Sequence, residues 1–104
     1  MDCIFCKDFI RANAVLENPL AFVIYDKYPK EQGHVLVIPK RHSENWFQAT
    51  GEERVAIAEL LDAAKNMLDE KFQPAGFNVV MNCGKEAGQE VFHTHVHLIP
   101  RYRK

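Results

Sequence analysis

Three of the five histidines occupy alternate positions, 93, 95 and 97, in the run VFHTHVHLI. Strict alternation predicts a β-strand over 91–99, because successive side chains of a strand point to opposite faces. The three imidazoles then form a row on one face, roughly 6.6–6.8 Å apart, while Thr94, Val96 and Leu98 face the core. Burying all three imidazoles would require three separate sets of partners, so the row favours chemistry over packing.

The rest of the chain predicts short strands around one long helix. Apolar runs at 20–26 and 34–38, divided by turn residues, are typical of an antiparallel hairpin. A capping-box pair, Thr50 and Glu53, begins a helix over about 51–72. Further strands are predicted at 77–82 and, as a short piece, near 13–17, and Pro100 ends the last strand. This order predicts one α+β domain over 1–104, with an antiparallel sheet of about five strands, one long helix and a short N-terminal helix.

Composition excludes several classes of protein. A net charge of −1 over 104 residues provides no basic surface for nucleic acid. No apolar run approaches the ~18–20 residues that span a bilayer, and the first ten residues lack the features of a signal peptide. We therefore expect a cytoplasmic protein with neither a membrane nor a nucleic-acid partner. Three cysteines, an odd number, argue against a disulfide framework in that compartment.

Two chemistries compete for the histidine row. The imidazoles could bind a transition metal, or they could surround a phosphoryl group, with one acting as nucleophile and the others donating hydrogen bonds. Metal-binding barrels need more strands than this chain supplies and usually a carboxylate ligand. The loop from Cys83 to Gln89 contains Gly84 and Gly88 and can present backbone N–H groups to an anion. This loop favours phosphoryl chemistry.

The run from His93 to Ile99 resembles the His-φ-His-φ-His-φ-φ motif of the histidine triad family, where φ is apolar and Thr94 is the weakest match. Asp26, the run 34–40, Asn82 and the pair Gly88-Gln89 also resemble that family at its usual spacing. The resemblance implies the family's fold and a homodimer. It also implies a hydrolase that acts at the α-phosphate of purine nucleotides, either nucleoside phosphoramidates or dinucleoside polyphosphates, through a covalent nucleotidyl-histidine.

The resemblance also implies a role for each matching residue. His95 is the nucleophile, and its Nδ1 must be held by a backbone carbonyl or polar neighbour so that Nε2 can attack. His97 contacts phosphate oxygens and helps with proton transfer, His34 supports the nucleophile, and Gln89 lies near the phosphate and the leaving group. The remaining nucleotide contacts are Asp26 at the ribose, Asn82 and Gly88 in the phosphate loop, and Ile4, Phe5 and Ile24 around the purine.

One position departs from the family pattern. Many nucleotide-binding members carry a serine where this chain has Glu90. An acid at this position would repel an anionic leaving group. At the last triad position, related nucleotide-transferring enzymes carry glutamine, so His97 favours hydrolysis.

Cys3 and Cys6 form a C-x-x-C, a pattern that serves metal binding, redox chemistry or ordinary packing. No βαβ pattern follows, which argues against a thioredoxin-like redox motif. Several bacterial members of the histidine triad family hold zinc with such a pair, the histidine of a Pro-Lys-x-His segment and the first triad histidine. The resemblance therefore implies one structural zinc per chain on Cys3, Cys6, His42 and His93, and it leaves Cys83 outside both groups.

Two other functions stay open at the level of sequence. The protein could be a purine nucleotide-binding regulatory protein with incidental catalysis. It could also be a zinc-dependent interaction module in which all five histidines bind metal. The presence of His34, His95 and His97 together favours an enzyme, because binding alone requires no nucleophile.

Overall fold

The computed structural model describes residues 3–104 and contains a five-stranded antiparallel sheet in the order β1-β2-β3-β5-β4. The strands are β1 (Leu16–Glu17), β2 (Ala21–Tyr25), β3 (Val35–Pro39), β4 (Gly76–Val80) and β5 (Val96–Arg101). The α-helices are the short α1 (Asp8–Ala12) and the long α2 (Gly51–Phe72), and 3₁₀ turns occupy Ile4–Cys6, Trp46–Gln48 and Lys85–Ala87. The predicted α+β fold is confirmed.

Helix α2 begins and ends as its sequence predicts. The Thr50 hydroxyl accepts from the backbone N–H of Glu53, and the Glu53 carboxylate accepts from the backbone N–H of Thr50. This reciprocal pair satisfies donors that a helix N-terminus otherwise leaves open. The helix ends at Gln73, which adopts a left-handed conformation with φ of 47°. Among residues 3–104, no helix is long and apolar enough to cross a membrane.

Both faces of the sheet are covered. One face packs against the buried stripe of α2 through Val23, Val37, Val96 and other small apolar residues of β2, β3 and β5. The opposite face packs against the N-terminal segment, where Cys3 and Phe5 lie on a cluster from β2 and β3: Phe22, Ile24, Leu36 and Ile38. Because His97 pairs with Leu36 across β3 and β5, its side chain belongs to this second face.

The last strand differs from the prediction at both ends. The register places Val96 opposite Val37, so Thr94 would face Pro39, which has no N–H to donate. Residues 93–95 therefore leave the ladder, and the N–H of Thr94 donates to the Ser43 carbonyl instead. At the other end Pro100 does not stop β5, which pairs with β4 as far as Arg101. Pairing with β3 ends at Leu98, so no donor is lost at Pro100.

A glycine fixes the loop that precedes β3. Gly33 has φ of 89°, and a Cβ at this position would lie 2.9 Å from the Phe72 ring. No other residue fits this position without displacing that ring. The constraint matters for the site because Gly33 sets the path of the chain into His34.

Candidate active site and candidate metal site

The predicted metal ligands and the other histidines lie in two neighbouring groups, beside the sheet face that does not pack on α2. The first group brings Cys3, Cys6, His42 and His93 together. The second contains His34, His95 and His97 with Asp26. His93 and His95 are separated by one residue, yet they belong to different groups.

The 3₁₀ turn Ile4–Cys6 places two sulfur atoms beside two imidazoles. Sγ of Cys3 lies 3.2 Å from Nδ1 of His93, and Sγ of Cys6 lies 3.4 Å from Nδ1 of His42 and 3.5 Å from Nδ1 of His93. All four donor atoms lie within 4.8 Å of one another. Burial and the neighbouring Cys3 thiol raise the pKa of Cys6.

The orientation of His93 suits a metal ligand. Its Nε2 lies 2.7 Å from the Pro39 carbonyl, which can only accept, so Nε2 carries the proton and Nδ1 keeps its lone pair. A ligand imidazole whose second nitrogen is held by a carbonyl is the usual arrangement at metal sites. Burial, with His93 0% exposed, lowers its pKa to about 4 and keeps the ring in the neutral form that binds metal.

The donor set fits a tetrahedral ion. Sulfur and nitrogen ligands at about 2.3 and 2.0–2.1 Å from a tetrahedral zinc are separated from each other by about 3.6 Å. The observed separations of 3.2–3.5 Å between sulfur and nitrogen atoms are close to that value. Two thiols and two imidazoles also match the composition of closed structural sites. Cys3, Cys6, His42 and His93 therefore form a candidate metal site.

His95 uses the opposite ring nitrogen. Its Nδ1 lies 2.7 Å from the His93 carbonyl and donates to it, so the lone pair is on Nε2. The Phe5 ring packs edge-on against the imidazole, with centroids 5.2 Å apart. Burial lowers the pKa of His95, which favours a neutral ring at physiological pH. A neutral imidazole with an accessible lone pair can act as a nucleophile.

The other two histidines form a directional chain. The Lys30 N–H donates to Nδ1 of His34, so the proton of a neutral His34 is on Nε2. This Nε2 lies 3.0 Å from Nδ1 of His97 and 3.4 Å from an Asp26 oxygen. Nδ1 of His97 therefore accepts, and its proton is on Nε2. Burial lowers the pKa of His34, and chiefly burial lowers that of His97 to about 4.

The same chain argues against a second metal site. Asp26, His34 and His97 have the composition of a metal-binding group, and their donor atoms lie within 4.8 Å. A metal on Nε2 of His34 would displace its proton to Nδ1. The Lys30 N–H already points at Nδ1 and would then meet another hydrogen. The geometry favours hydrogen bonding between these residues.

The residues predicted to contact the nucleotide differ in their solvent exposure. Asp26 is half-buried, and its Oδ1 accepts from the Tyr28 N–H. Asn82 is half-buried beside Gly88, which has φ of 92°. Of the three predicted purine contacts, Ile4 is exposed, whereas Phe5 and Ile24 are packed in the core of the second sheet face. A purine base would therefore contact only the outer edges of Phe5 and Ile24.

Gln89 has a different environment from the one expected of a phosphate ligand. It is 4% exposed, and its Oε1 accepts from the Gly84 N–H. Its Nε2 donates to the carbonyls of Val91 and Glu44. With both amide hydrogens and the oxygen bonded within the protein, the side chain holds the loop.

Glu90 lines a groove beside the candidate metal site together with Cys3, His42 and Phe92.

Sequence reasoning expected a backbone carbonyl or polar neighbour at Nδ1 of His95 without identifying it, and it missed the groups that orient His34 and His93. The carbonyls of Pro39 and His93 and the N–H of Lys30 are backbone atoms, which carry no signal in the residue pattern. It also missed Ser43 as the partner of Thr94. The only available signal was the polar Thr94 at an apolar position of the motif.

Comparison with known proteins extends the likeness over the whole chain. The model of the HIT domain family matches residues 7–104. A HIT family protein from Bacillus anthracis superposes with a TM-score of 0.91 at 39% identity, covering 99% of this chain and 75% of that one. A HIT family hydrolase from Clostridium thermocellum superposes with a TM-score of 0.75 at 34% identity, covering 95% of this chain and 90% of that one. The adenylylsulfatase HINT3 of Arabidopsis thaliana is 34% identical over 104 residues, which are 96% of this chain and 52% of that protein.

Proposed function

Because the chain belongs to the HIT domain family, we propose that it is a hydrolase that cleaves purine nucleotides at the α-phosphate. We propose nucleoside phosphoramidates or dinucleoside polyphosphates as its substrates. The observation that carries this proposal is the hydrogen bond from Nδ1 of His95 to the His93 carbonyl, which leaves the Nε2 lone pair for attack. The hydrolase and the adenylylsulfatase among its relatives support the reaction class.

The proposed reaction has two displacements at phosphorus. Nε2 of His95 forms a bond to the α-phosphorus while the bond to the leaving group breaks, and the leaving group takes a proton from water. The nucleotidyl-imidazole keeps its Nδ1 proton and is cationic, so the His93 carbonyl and the nearby Asp26 carboxylate stabilise it. Water then attacks phosphorus and loses a proton to solvent, the bond to Nε2 breaks, and the nucleoside monophosphate leaves.

The other site residues bind and orient the substrate in this proposal. His97 presents its Nε2–H to a phosphate oxygen, because the His34 Nε2–H occupies its Nδ1. Asp26 holds the ribose hydroxyls, and Asn82 and Gly88 contribute the phosphate loop. Ile4, Phe5 and Ile24 contact the purine at its edge. Gln89 acts on this loop from within, through its bonds to Gly84 and Glu44.

The candidate metal site is proposed to hold one structural zinc on Cys3, Cys6, His42 and His93. When bound, zinc would supply a cross-link and no reactive group, since four protein ligands leave no open position. Its donors tie the N-terminal segment to the chain after β3 and to the segment before β5. Nδ1 of His93 and the two sulfurs are already adjacent, which supports this assignment.

We also propose a homodimer and a cytoplasmic location. The dimer proposal is supported by β4, which is an edge strand of the sheet. Its residue Val79 is 55% exposed, and Met81 just beyond it is 36% exposed. An open, apolar strand edge is a ready site for pairing with another chain. Sedimentation at micromolar concentration should give about twice the 12.0 kDa chain mass, and a species of chain mass alone would contradict the dimer.

Turnover on adenosine phosphoramidate and on a diadenosine polyphosphate, measured side by side, tests the function. We expect release of adenosine monophosphate from at least one of them, and a trapped nucleotide on His95. Release without any label on His95 would contradict the covalent route. Tight binding of purine nucleotides without turnover would instead favour the regulatory alternative.

A further inference from the structure

The segment that carries His95 lies outside the sheet. β5 begins at Val96, and Pro39 offers no N–H opposite Thr94, so the ladder to β3 does not hold residues 93–95. The position of this backbone nevertheless decides the chemistry, because the carbonyl of His93 holds Nδ1 of His95. Contacts other than strand pairing must fix it.

Ser43 and Thr94 form those contacts. The N–H of Thr94 donates to the Ser43 carbonyl at 2.8 Å, and the Thr94 hydroxyl lies 3.1 Å from the same carbonyl. The two hydroxyl oxygens are 2.7 Å apart. Because a carbonyl only accepts, the Thr94 hydroxyl donates to it and accepts from the Ser43 hydroxyl. The side chains are 5% and 2% exposed, so water cannot easily replace a lost partner.

We propose that the Ser43–Thr94 hydroxyl pair is a positioning element for His95. It holds residues 93–95 so that the His93 carbonyl fixes Nδ1 of His95 and directs Nε2 towards the substrate. Neither residue touches the substrate, so both are positioning residues. The catalytic part of this inference rests on the proposed function.

The pair also connects the two groups of histidines. Ser43 follows His42, and Thr94 lies between His93 and His95. The hydroxyl pair therefore holds the catalytic segment through protein contacts that need no metal. A variant that breaks only this pair should lose positioning while keeping its zinc.

Variants at position 94 separate positioning from packing. Thr94→Val keeps the shape and removes the hydroxyl, whereas Thr94→Ser keeps the hydroxyl. We expect Thr94→Val to lower kcat on adenosine phosphoramidate by about 10- to 100-fold, because small misplacements of reacting groups have effects of that size. KM and zinc content should stay near wild type, and Thr94→Ser should restore most of kcat. Ser43→Ala should lower kcat less, since the Thr94 hydroxyl keeps its bond to the carbonyl.

Ile57→Val is the matched control for lost stability. Ile57 is a residue of α2 and is fully buried against the sheet face on which this helix packs. This variant should lower Tm without changing kcat. Equal losses of kcat in Thr94→Val and Thr94→Ser, or a rise in KM that accounts for the whole effect, would overturn the positioning role.

A readout that needs no substrate keeps this test separate from the proposed function. In ¹⁵N NMR of the imidazoles near neutral pH, wild-type His95 should show one tautomer, with its proton on Nδ1. Thr94→Val should show a mixture, or faster exchange of that proton, and Thr94→Ser should not. An unchanged tautomer in Thr94→Val overturns the inference, whatever the activity. Absence of turnover by the wild type, with the tautomer shift observed, would overturn the proposed function alone.

Discussion

His93 and His95 are two residues apart, yet they present opposite ring nitrogens to their surroundings. The Nε2–H of His93 donates a hydrogen bond to the Pro39 carbonyl, and its Nδ1 faces the two sulfur atoms. The Nδ1–H of His95 donates to the His93 carbonyl, and its Nε2 keeps the lone pair. The side chains are identical, so the difference comes from which nitrogen a backbone carbonyl occupies. Two hydrogen bonds to backbone carbonyls therefore distinguish the ring in the candidate metal site from the ring in the candidate catalytic site.

The comparison also shows where each group acts. The thiol–imidazole group joins distant parts of the chain, at positions 3, 6, 42 and 93. We therefore expect it to contribute mainly to the stability of the fold. In the second group, His34 donates to His97 and the Nε2 lone pair of His95 stays open, so we expect these residues to govern reactivity. Variants in the first group should change stability more than turnover, and variants in the second should do the reverse.

The largest effect is expected at the nucleophile. His95→Ala should lower kcat by about 10⁴-fold or more, because no other imidazole presents a lone pair at that position. Mononucleotide affinity, measured by calorimetry, should stay within about tenfold of wild type, since the pocket supplies most contacts. The fold should also be intact by circular dichroism. Near-normal turnover in this variant would assign the nucleophile to another residue.

Loss of the metal site should affect stability next. Cys3→Ser should abolish stoichiometric zinc and lower Tm by about 10 °C or more, because structural zinc binding adds directly to folding free energy. Cys6→Ser and His42→Ala should follow, and His93→Ala should also reduce turnover through its neighbour His95.

Cys83→Ser is the matched control for the metal site. Cys83 is a half-buried free cysteine outside the metal group, so this variant should keep both zinc and Tm. Elemental analysis of protein purified without a metal-binding tag provides the measurement. If the wild type contains no stoichiometric zinc and Cys3→Ser has the same Tm as the wild type, the cysteines contribute packing alone.

An intermediate effect is expected from the histidine chain. His34→Ala removes the N–H that fixes the tautomer of His97, so kcat should fall by about 10- to 100-fold. His34→Gln, which can still donate a hydrogen bond, should recover part of that loss. Zinc content should be unchanged in both variants. Equal kcat/KM for His34→Ala and wild type would show that His97 needs no partner.

The last prediction concerns pH. Burial lowers the pKa of His97 to about 4, and an unfolded histidine titrates near 6.5. Between these values the unfolded chain binds more protons than the folded chain. This stabilising contribution is complete above about pH 6.5 and is lost as pH falls towards 4. The loss should be on the order of 1–3 kcal/mol for His97.

Denaturant unfolding at several pH values measures this effect. His97→Asn cannot titrate and should show a flatter dependence on pH than wild type, while the metal ligands are common to both proteins. Parallel curves for the two proteins would indicate that His97 is protonated without cost in the folded state.

Much of this protein is determined by its sequence alone. The capping pair Thr50–Glu53 sets the start of α2, and the apolar runs set β2 and β3 within a residue or two of their observed bounds. The C-x-x-C and the alternating histidines mark candidate site residues by side-chain identity, and the family resemblance implies that Cys3 and Cys6 join His42 and His93. These features depend on local geometry and on side-chain identity, and both are readable in the residue pattern.

Tertiary structure decided the rest. Pro39 ended the pairing of β5 at Val96, so residues 93–95 of the predicted strand over 91–99 form a segment held by Ser43. The amide of Gln89 was bound by Gly84, Val91 and Glu44, so it holds the loop from Cys83 to Gln89 from inside. The tautomers of His34, His93 and His95 were set by one N–H and two carbonyls of the main chain. Every residue other than proline offers these same groups, so only their positions in the folded chain distinguish a metal ligand from a nucleophile.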